Sequence, residues 1–299
     1  MKREIRIGTR GSQLALVQSR WVASKLEELG WSSSLQIIRT VGDNITDIPL
    51  GQIEGKGLFV SELEQALCTK EVDLAVHSMK DLPPELSEGL TIAAVPKRED
   101  TRDALVSRNS LTLSTLPAGA VIGSSSPRRR AQLLAARLDI SVADLRGNVD
   151  TRLRKLDEGQ YDAICIAAAG LHRLGLGGRI TEYLDSDIIM PAACQGALAL
   201  QTRIDDEELI SALSPLHHND TDLAVRTETS VLLALGWGCS MPLGLLATVN
   251  NSQIRIRAAL CNLDGTIVLR KEIISSDSPE VIGKQMAEQL KADGSHLLG

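Results

Sequence analysis

Val72-Asp73-Leu74-Ala75-Val76-His77-Ser78-Met79-Lys80-Asp81-Leu82-Pro83-Pro84 is the most informative stretch of the chain. Its first five residues are mostly apolar and read as a short buried strand running on to His77. The chain then leaves the sheet carrying a cation and a carboxylate side by side, Lys80 and Asp81, and stops at two prolines. Ligand sites in open α/β sheets lie just outside strand ends. A Lys-Asp pair there could hold one fixed negative charge against a cationic reaction intermediate. Taken alone, the pair is better read as a solvated ion pair in a turn, and only the rest of the chain changes that balance.

Outward from this stretch, strands and helices alternate. Residues 4–8 read as a strand. Residues 12–29 read as a helix, with Leu14, Leu16, Val17, Trp21, Val22, Leu26 and Leu29 at helical spacing and Gly30 as the stop. A strand is expected at 35–41 and a helix at 60–69, with a polar, glycine-rich loop over 43–57 between them. A second unit begins near Leu105, with strands at 120–123, 140–145 and 162–167 and helices at 127–138, 149–158 and up to Leu171. Such alternation predicts an α/β fold with largely parallel sheets. Two turns resemble each other: Ile7-Gly8-Thr9-Arg10-Gly11-Ser12 and Ile122-Gly123-Ser124-Ser125-Ser126-Pro127-Arg128. Ser126 with Pro127 reads as a helix N-cap followed by the first helical position, where proline's missing N–H costs nothing. Free N–H groups make such helix starts ready anion sites. Two similar lobes facing each other would form a cleft lined by both. The last third reads as a helix over 224–235, strands over 254–260 and 266–273 and a helix over 279–290, a small α+β domain. Its first helix runs into Gly236-Trp237-Gly238-Cys239-Ser240-Met241-Pro242, a cysteine held between glycines and a proline.

Composition excludes several classes. The 299 residues are 43% hydrophobic and 23% charged, the ordinary values of a soluble globular protein. No apolar run reaches the roughly 20 residues of a membrane span. The start, Met1-Lys2-Arg3-Glu4-Ile5-Arg6-Ile7, alternates like a strand and is not read as a secretory signal. A cytoplasmic protein without a membrane partner is expected. The five cysteines (Cys68, Cys165, Cys194, Cys239, Cys261) are scattered with no CxxC pair, which argues against disulfides and zinc. Cys68, Cys165 and Cys261 read as packing residues, and no metal site is expected. Net charge is −6, yet Arg128, Arg129, Arg130, Arg137, Arg146, Arg152, Arg154 and Lys155 crowd one stretch. That favours an anionic small ligand over a nucleic acid, since aromatics, which single-stranded nucleic acids stack on, are only 2%. Arg130, Arg137 and Arg154 read as solvated helix positions, His77 as a structural histidine, His217 and His218 as exposed, and Asp205-Asp206-Glu207-Glu208 as a solvated helix start.

Together these segments resemble the porphobilinogen deaminase (hydroxymethylbilane synthase) family. The similarity is carried by Ile7-Gly8-Thr9-Arg10, Gly55-Lys56-Gly57-Leu58-Phe59, Val76-His77-Ser78-Met79-Lys80-Asp81, Ser125-Ser126-Pro127-Arg128-Arg129, Leu145-Arg146-Gly147-Asn148-Val149-Asp150-Thr151-Arg152, Ala169-Gly170-Leu171-His172-Arg173-Leu174-Gly175 and Gln195-Gly196-Ala197, in order over nearly the whole chain. The resemblance implies a transferase of tetrapyrrole (porphyrin) biosynthesis. Four porphobilinogen molecules are joined head to tail into hydroxymethylbilane, each with loss of ammonia, on a dipyrromethane cofactor bound by thioether to Cys239. It implies Asp81 as the catalytic group. It places Cys239, Lys80, Asp81, Ser126, Arg128, Arg129 and Arg152 on the cofactor, and Arg10, Ser12, Lys56, Phe59, Arg146, Arg152, Arg173 and Gln195 on the substrate. A preorganised carboxylate suits this chemistry because the successive pyrrole intermediates are cationic. Guanidinium groups suit the acetate and propionate that each pyrrole carries. Phe59 reads equally as a core residue.

The implied fold is α/β: two periplasmic-binding-protein-like lobes with mixed, mainly parallel sheets, plus a small α+β C-terminal domain, acting as a monomer. The expected domains are 1–97 with 197–215, 102–192, and 219–299. The chain departs from the family's usual pattern at Gln52, Trp237, Cys194 and Pro127, where lysine, glycine, glycine and leucine are commoner. Two rival readings remain at this level: a non-catalytic anion-binding module on the same lobes, and a phosphate-ester enzyme using the Ser124–Arg130 turn.

Overall fold

In the computed structural model of the protein, residues 2–39, 60–236, 241–294 and 297 are described. The chain divides into two compact units, residues 1–99 with 197–222, and residues 100–196 with 223–299.

The first unit is ordered by the strand that opened the sequence reading. Strand β1 (Ile5–Thr9), helix α1 (Gln13–Glu28), β2 (Ser33–Ile37), helix α2 (Ser61–Cys68), β3 (Leu74–Ser78) and β4 (Leu90–Ala94) follow one another. The strand expected over 35–41 is shifted, because Ser33 to Ile37 pair in register with Ile5 to Thr9. Residues 40 and 41 and the loop expected over 43–57 lie outside the described residues. The alternation of side chains across β3 decides the layering. Leu74 and Val76 pack with Ile5, Ile7, Val22 and Leu26 on one face, and Ala75 packs with Leu63, Leu67 and Val72 on the other. Each fully buried leucine or isoleucine here contributes about 1.5–3 kcal/mol. Cys68 ends α2 on its exposed side instead of packing, since Leu63, Ala66 and Leu67 form the buried stripe.

The second unit repeats the plan. It holds β5 (Asp103–Ser107), β6 (Val121–Gly123), helix α3 (Pro127–Ala136), β7 (Ser141–Ala143), helix α4 (Val149–Asp157), β8 (Ala163–Ala167), helix α5 (Ala168–Arg173) and β9 (Glu182–Leu184). Leu105, Ile122, Leu133 and Cys165 pack on one face of the sheet, and Val106, Leu153, Leu156 and Ile164 on the other. After this sheet, β10 (Leu198–Arg203) and helix α6 (Glu207–Leu213) belong to the first unit.

The two sheets have the orders β2-β1-β3-β10-β4 and β7-β6-β8-β5-β9. In the first, β10 is antiparallel to both neighbours while β1 is parallel to β2 and β3. In the second, β5 is antiparallel to both neighbours while β6 is parallel to β7 and β8. Each sheet is therefore mixed and mainly parallel, with one reversed strand in the same place, as the resemblance implied.

Helix α7 (Asn219–Leu235) precedes the last part, where β11 (Leu243–Asn250), β12 (Gln253–Cys261) and β13 (Val268–Ser275) form an antiparallel sheet closed by helix α8 (Pro279–Gly294). Val231, Leu245, Ile256, Leu260, Ile282 and Met286 make its core. The other face packs Leu246 and Ala259 on Met190, and Leu245 N–H donates to Pro191 O. Strand β11 was not expected from sequence. His217 and His218 are not simply exposed: His217 Nδ1 accepts from Val95 N–H at 3.3 Å and His218 Nδ1 from Thr221 N–H at 3.2 Å. Asp206 caps α6, accepting from Leu209 N–H at 3.3 Å, with Glu207 and Glu208 in the first turn.

The two matching turns are built on glycines for the same reason. A Cβ at Gly8 would stand 3.0 Å from Val72 and 3.1 Å from Leu63; at Gly123 it would stand 3.0 Å from Leu145 and from Tyr161. At Gly8 the close neighbours come from α2 and the loop before β3, and at Gly123 from the loops after β7 and before β8. Gly8→Val overpacks that contact and is expected to cost about 1–3 kcal/mol, read as a lowered urea midpoint with an unchanged denaturant slope.

Candidate active site

In the first unit, β1 and β3 are parallel neighbours, so their carboxyl ends leave the sheet at one edge. From β1 comes Arg10, half-buried, and then Ser12, whose Oγ caps α1 by accepting from Ala15 N–H at 3.3 Å. From β3 comes a 3-10 turn, Met79–Asp81, that exposes Lys80 and Asp81. Its backbone is held at both ends. Met79 N–H donates to Ala197 O at 3.0 Å, and Leu82 N–H to Met79 O at 3.1 Å. The Gln18 amide donates to Ser78 Oγ at 3.0 Å, tying the turn to α1. Arg10, Ser12, Lys80 and Asp81 thus share one sheet edge.

Behind the turn, His77 is buried. Gln201 donates from Nε2 to Glu64 Oε1 at 2.7 Å, so its Oε1 accepts from His77 Nε2, 2.9 Å away. Burial pushes the imidazole down to about 4, against the pull of Gln201 and Glu64, with Arg10 also lowering it. His77 is neutral and structural, as its sequence context indicated.

The second unit presents guanidinium groups at the equivalent edge. The turn after β6 is fixed by its serines. Ser125 Oγ donates to Leu145 O at 3.0 Å and accepts from Leu145 N–H at 2.9 Å, and Ser126 Oγ accepts from Arg129 N–H at 3.4 Å. Arg128 and Arg129 open α3, and both are buried, turned onto one carboxylate. Arg128 Nη1 donates to Asp103 Oδ2 at 2.7 Å and to Met190 O at 2.6 Å. Arg129 donates to Asp103 Oδ1 from Nε at 3.0 Å and from Nη2 at 2.6 Å. Gln195 Nε2 joins them, donating to Asp103 Oδ1 at 3.0 Å and Thr101 O at 2.8 Å. Asp103 is fully buried. Burial alone would raise its carboxyl, but the two guanidiniums hold it far below the usual carboxylate range. Losing one partner of such a buried pair costs roughly 3–5 kcal/mol.

The remaining arginines stand around the next two strand ends. Arg152 Nε donates to Gly147 O at 2.7 Å, Lys155 Nζ to Arg146 O at 3.4 Å, and Arg173 Nη2 to Gly196 O at 2.6 Å. Arg146, Arg152 and Arg173 are half-buried. Arg154 forms a surface pair with Glu158 and Arg130 is exposed, as their reading as solvated helix positions expected, but Arg137 lies just past the end of α3, half-buried, donating to Leu113 O and Leu116 O as well as pairing with Asp139. Cys194, where the family more often has glycine, adopts φ +59. Its N–H donates to the buried carboxylate of Glu228, which also accepts from Ala247 N–H at 2.7 Å. Lys56, Phe59, Cys239, Gln52 and Trp237 lie outside the described residues.

Asp103 escaped the sequence reading. The signal was there: an acid heading the apolar run Asp103-Ala104-Leu105-Val106 must find a counter-ion if the strand is buried.

The fold and these edges define a two-lobed α/β protein with strand-end sites and a small α+β domain. Residues 5–211 match the family model described as "Porphobilinogen deaminase, dipyromethane cofactor binding domain", and residues 223–292 match the porphobilinogen deaminase C-terminal domain. The chain belongs to the porphobilinogen deaminase family. Relatives named porphobilinogen deaminase include one from Syntrophobacter fumaroxidans, 47% identical over 99% of this chain and 97% of its own. Another, from Shouchella clausii, is 48% identical over 98% and 95%. Among solved structures, the periplasmic VFT2 domain of Bordetella pertussis BvgS matches at TM-score 0.41 and 16% identity, over 76% of this chain and 92% of that one. The lobe plan follows from the two strand orders.

Because His77 has a folded value near 4 and an unfolded value near 6.5, the unfolded chain takes up the proton first. Its contribution to stability is complete above pH 6.5 and is lost as pH falls towards 4, reaching about 3 kcal/mol. Urea midpoints measured from pH 7 to pH 4 are expected to fall more steeply for the wild type than for His77→Gln.

Proposed function

We propose that this chain is a transferase that joins four porphobilinogen molecules head to tail into hydroxymethylbilane, releasing one ammonia per unit, on a dipyrromethane held by thioether to Cys239. The observation that carries this reading is the family match over residues 5–211, named for the dipyrromethane-binding domain. The donor set fits such a group. Two buried guanidiniums share a single carboxylate, leaving one positive charge for a ligand acid.

When bound, the dipyrromethane supplies the pyrrole end to which substrate is joined. Asp81 is exposed at its strand end, where it stabilises the cation left when porphobilinogen loses ammonia and moves the proton that condensation releases. Lys80 beside it offers a cation to a ligand carboxylate. Ser126, Arg128, Arg129 and Arg152 hold the cofactor's acids. Arg10, Ser12, Lys56, Phe59, Arg146, Arg173 and Gln195 receive the substrate and the growing chain. In this scheme residues 1–97 with 197–215 form the catalytic lobe, 102–192 the carboxylate-binding lobe and 219–299 the cofactor-attachment domain. The protein works as a cytoplasmic monomer. Among the described residues, no helix is long and apolar enough to cross a membrane.

Intact-mass spectrometry of freshly purified protein is expected to show the chain plus two linked pyrrole units, and Cys239→Ser is expected to remove that increment. A wild-type chain of bare polypeptide mass, made in cells supplied with precursor, overturns the proposal. Asp81→Asn is expected to cut porphobilinogen consumption at least about 100-fold while leaving the circular dichroism spectrum unchanged. Activity within a few-fold of wild type removes Asp81 from the catalytic role.

A further inference from the structure

Arg128 and Arg129 are 5% and 6% exposed, and their only acidic partner among the described residues is Asp103. An arginine has five N–H donors in a rigid fork and many rotamers, so an unsupported pair would lose much freedom on gripping a ligand. Asp103 removes that cost beforehand. Its Oδ2 takes Arg128, and its Oδ1 takes Arg129 through two nitrogens and Gln195 through its amide. Carbonyls complete the frame: Met190 O for Arg128, Cys165 O for Arg129 at 3.3 Å and Thr101 O for Gln195.

Topology explains how one acid reaches all three. Strand β5 runs against its neighbours, so Asp103 at its amino end stands opposite Ala167 at the carboxyl end of β8. The helix bearing Arg128 and Arg129 starts at the carboxyl end of β6, the strand beside β8. Two guanidiniums against one carboxylate leave a single positive charge in a buried place, which is costly until an anion joins it.

We infer that Asp103 is a positioning residue: it locks Arg128, Arg129 and Gln195 in the receiving arrangement while cancelling only one of the two charges, so that one ligand carboxylate completes a neutral cluster. This deepens the reading of Arg128 and Arg129 as holders of the cofactor's acids and rests on it.

The test compares wild type, Asp103→Glu and Asp103→Asn as full-length chains. Asp103→Glu keeps the charge but displaces the fork by one methylene. It is expected to melt within a few degrees of wild type and yet to load the two-pyrrole increment about 10–100-fold more slowly, the range typical of groups that orient a ligand's direct holders. Loading is followed when cofactor-free chains are incubated with porphobilinogen, two units of which join Cys239 with loss of two ammonia. Higher porphobilinogen should restore its occupancy, which a folding defect would not allow. Asp103→Asn is expected to load least. Either variant folding and loading at the wild-type rate overturns the inference. Should neither variant fold, the wild-type chain made without pyrrole precursor decides. Its Arg129 Nε–H, followed by NMR, must be protected from solvent exchange before any cofactor is bound, and fast exchange there refutes a preformed clamp. If the wild type itself never gains the two-pyrrole mass, the proposed function fails instead, while the exchange measurement still reports on Asp103.

Discussion

In each five-stranded sheet one strand runs against the others, and the placement of the polar groups follows from it. A purely parallel sheet gathers carboxyl ends at one edge and sends amino ends to the opposite edge. With β10 and β5 reversed, an amino end joins the carboxyl ends. That is how Ala197, just before β10, anchors the turn that carries Asp81, and how Asp103 comes beneath the arginines that open α3. The requirement is applied twice, at matching positions in the strand orders, and the packing glycines Gly8 and Gly123 recur at matching turns.

The two edges then diverge in chemistry. The first carries an exposed acid on a short turn whose backbone is tied down and whose side chain faces water. The second buries its charges. Burial makes each guanidinium expensive, and the shared carboxylate compensates one of the two charges while leaving one over. Deeper still, the His77–Gln201–Glu64 chain is satisfied entirely within the fold, and burial keeps its histidine neutral near pH 7. The exposed acid, the buried guanidiniums and the buried histidine thus differ in depth as well as in residue type.

Much of this was legible beforehand. Strand β3 and its polar exit, the N-cap at Ser126 with proline after it, and the helices α1, α3 and α4 all announce themselves through period, caps and breakers. Strands β4, β5, β9 and β11 did not. Each is short or has a polar residue at its end, and pairing partners far along the chain stabilise it. His217 and His218 looked exposed because their neighbours are polar, yet the Val95 N–H, brought close by the fold, claims one ring, and the Thr221 N–H, three residues along the chain, claims the other.

What the amino-acid sequence determined alone was the kind of elements, their order, and the residue types at their ends, because periodicity and capping act within a few residues. It determined the family too, through motifs spread along the chain. Which arginines would face an acid, and which acid, was decided only by tertiary structure. Asp103 lies 25 residues from Arg128 and 92 from Gln195, and only the reversed strand, set by hydrogen bonds to β8 and β9, brings the three together.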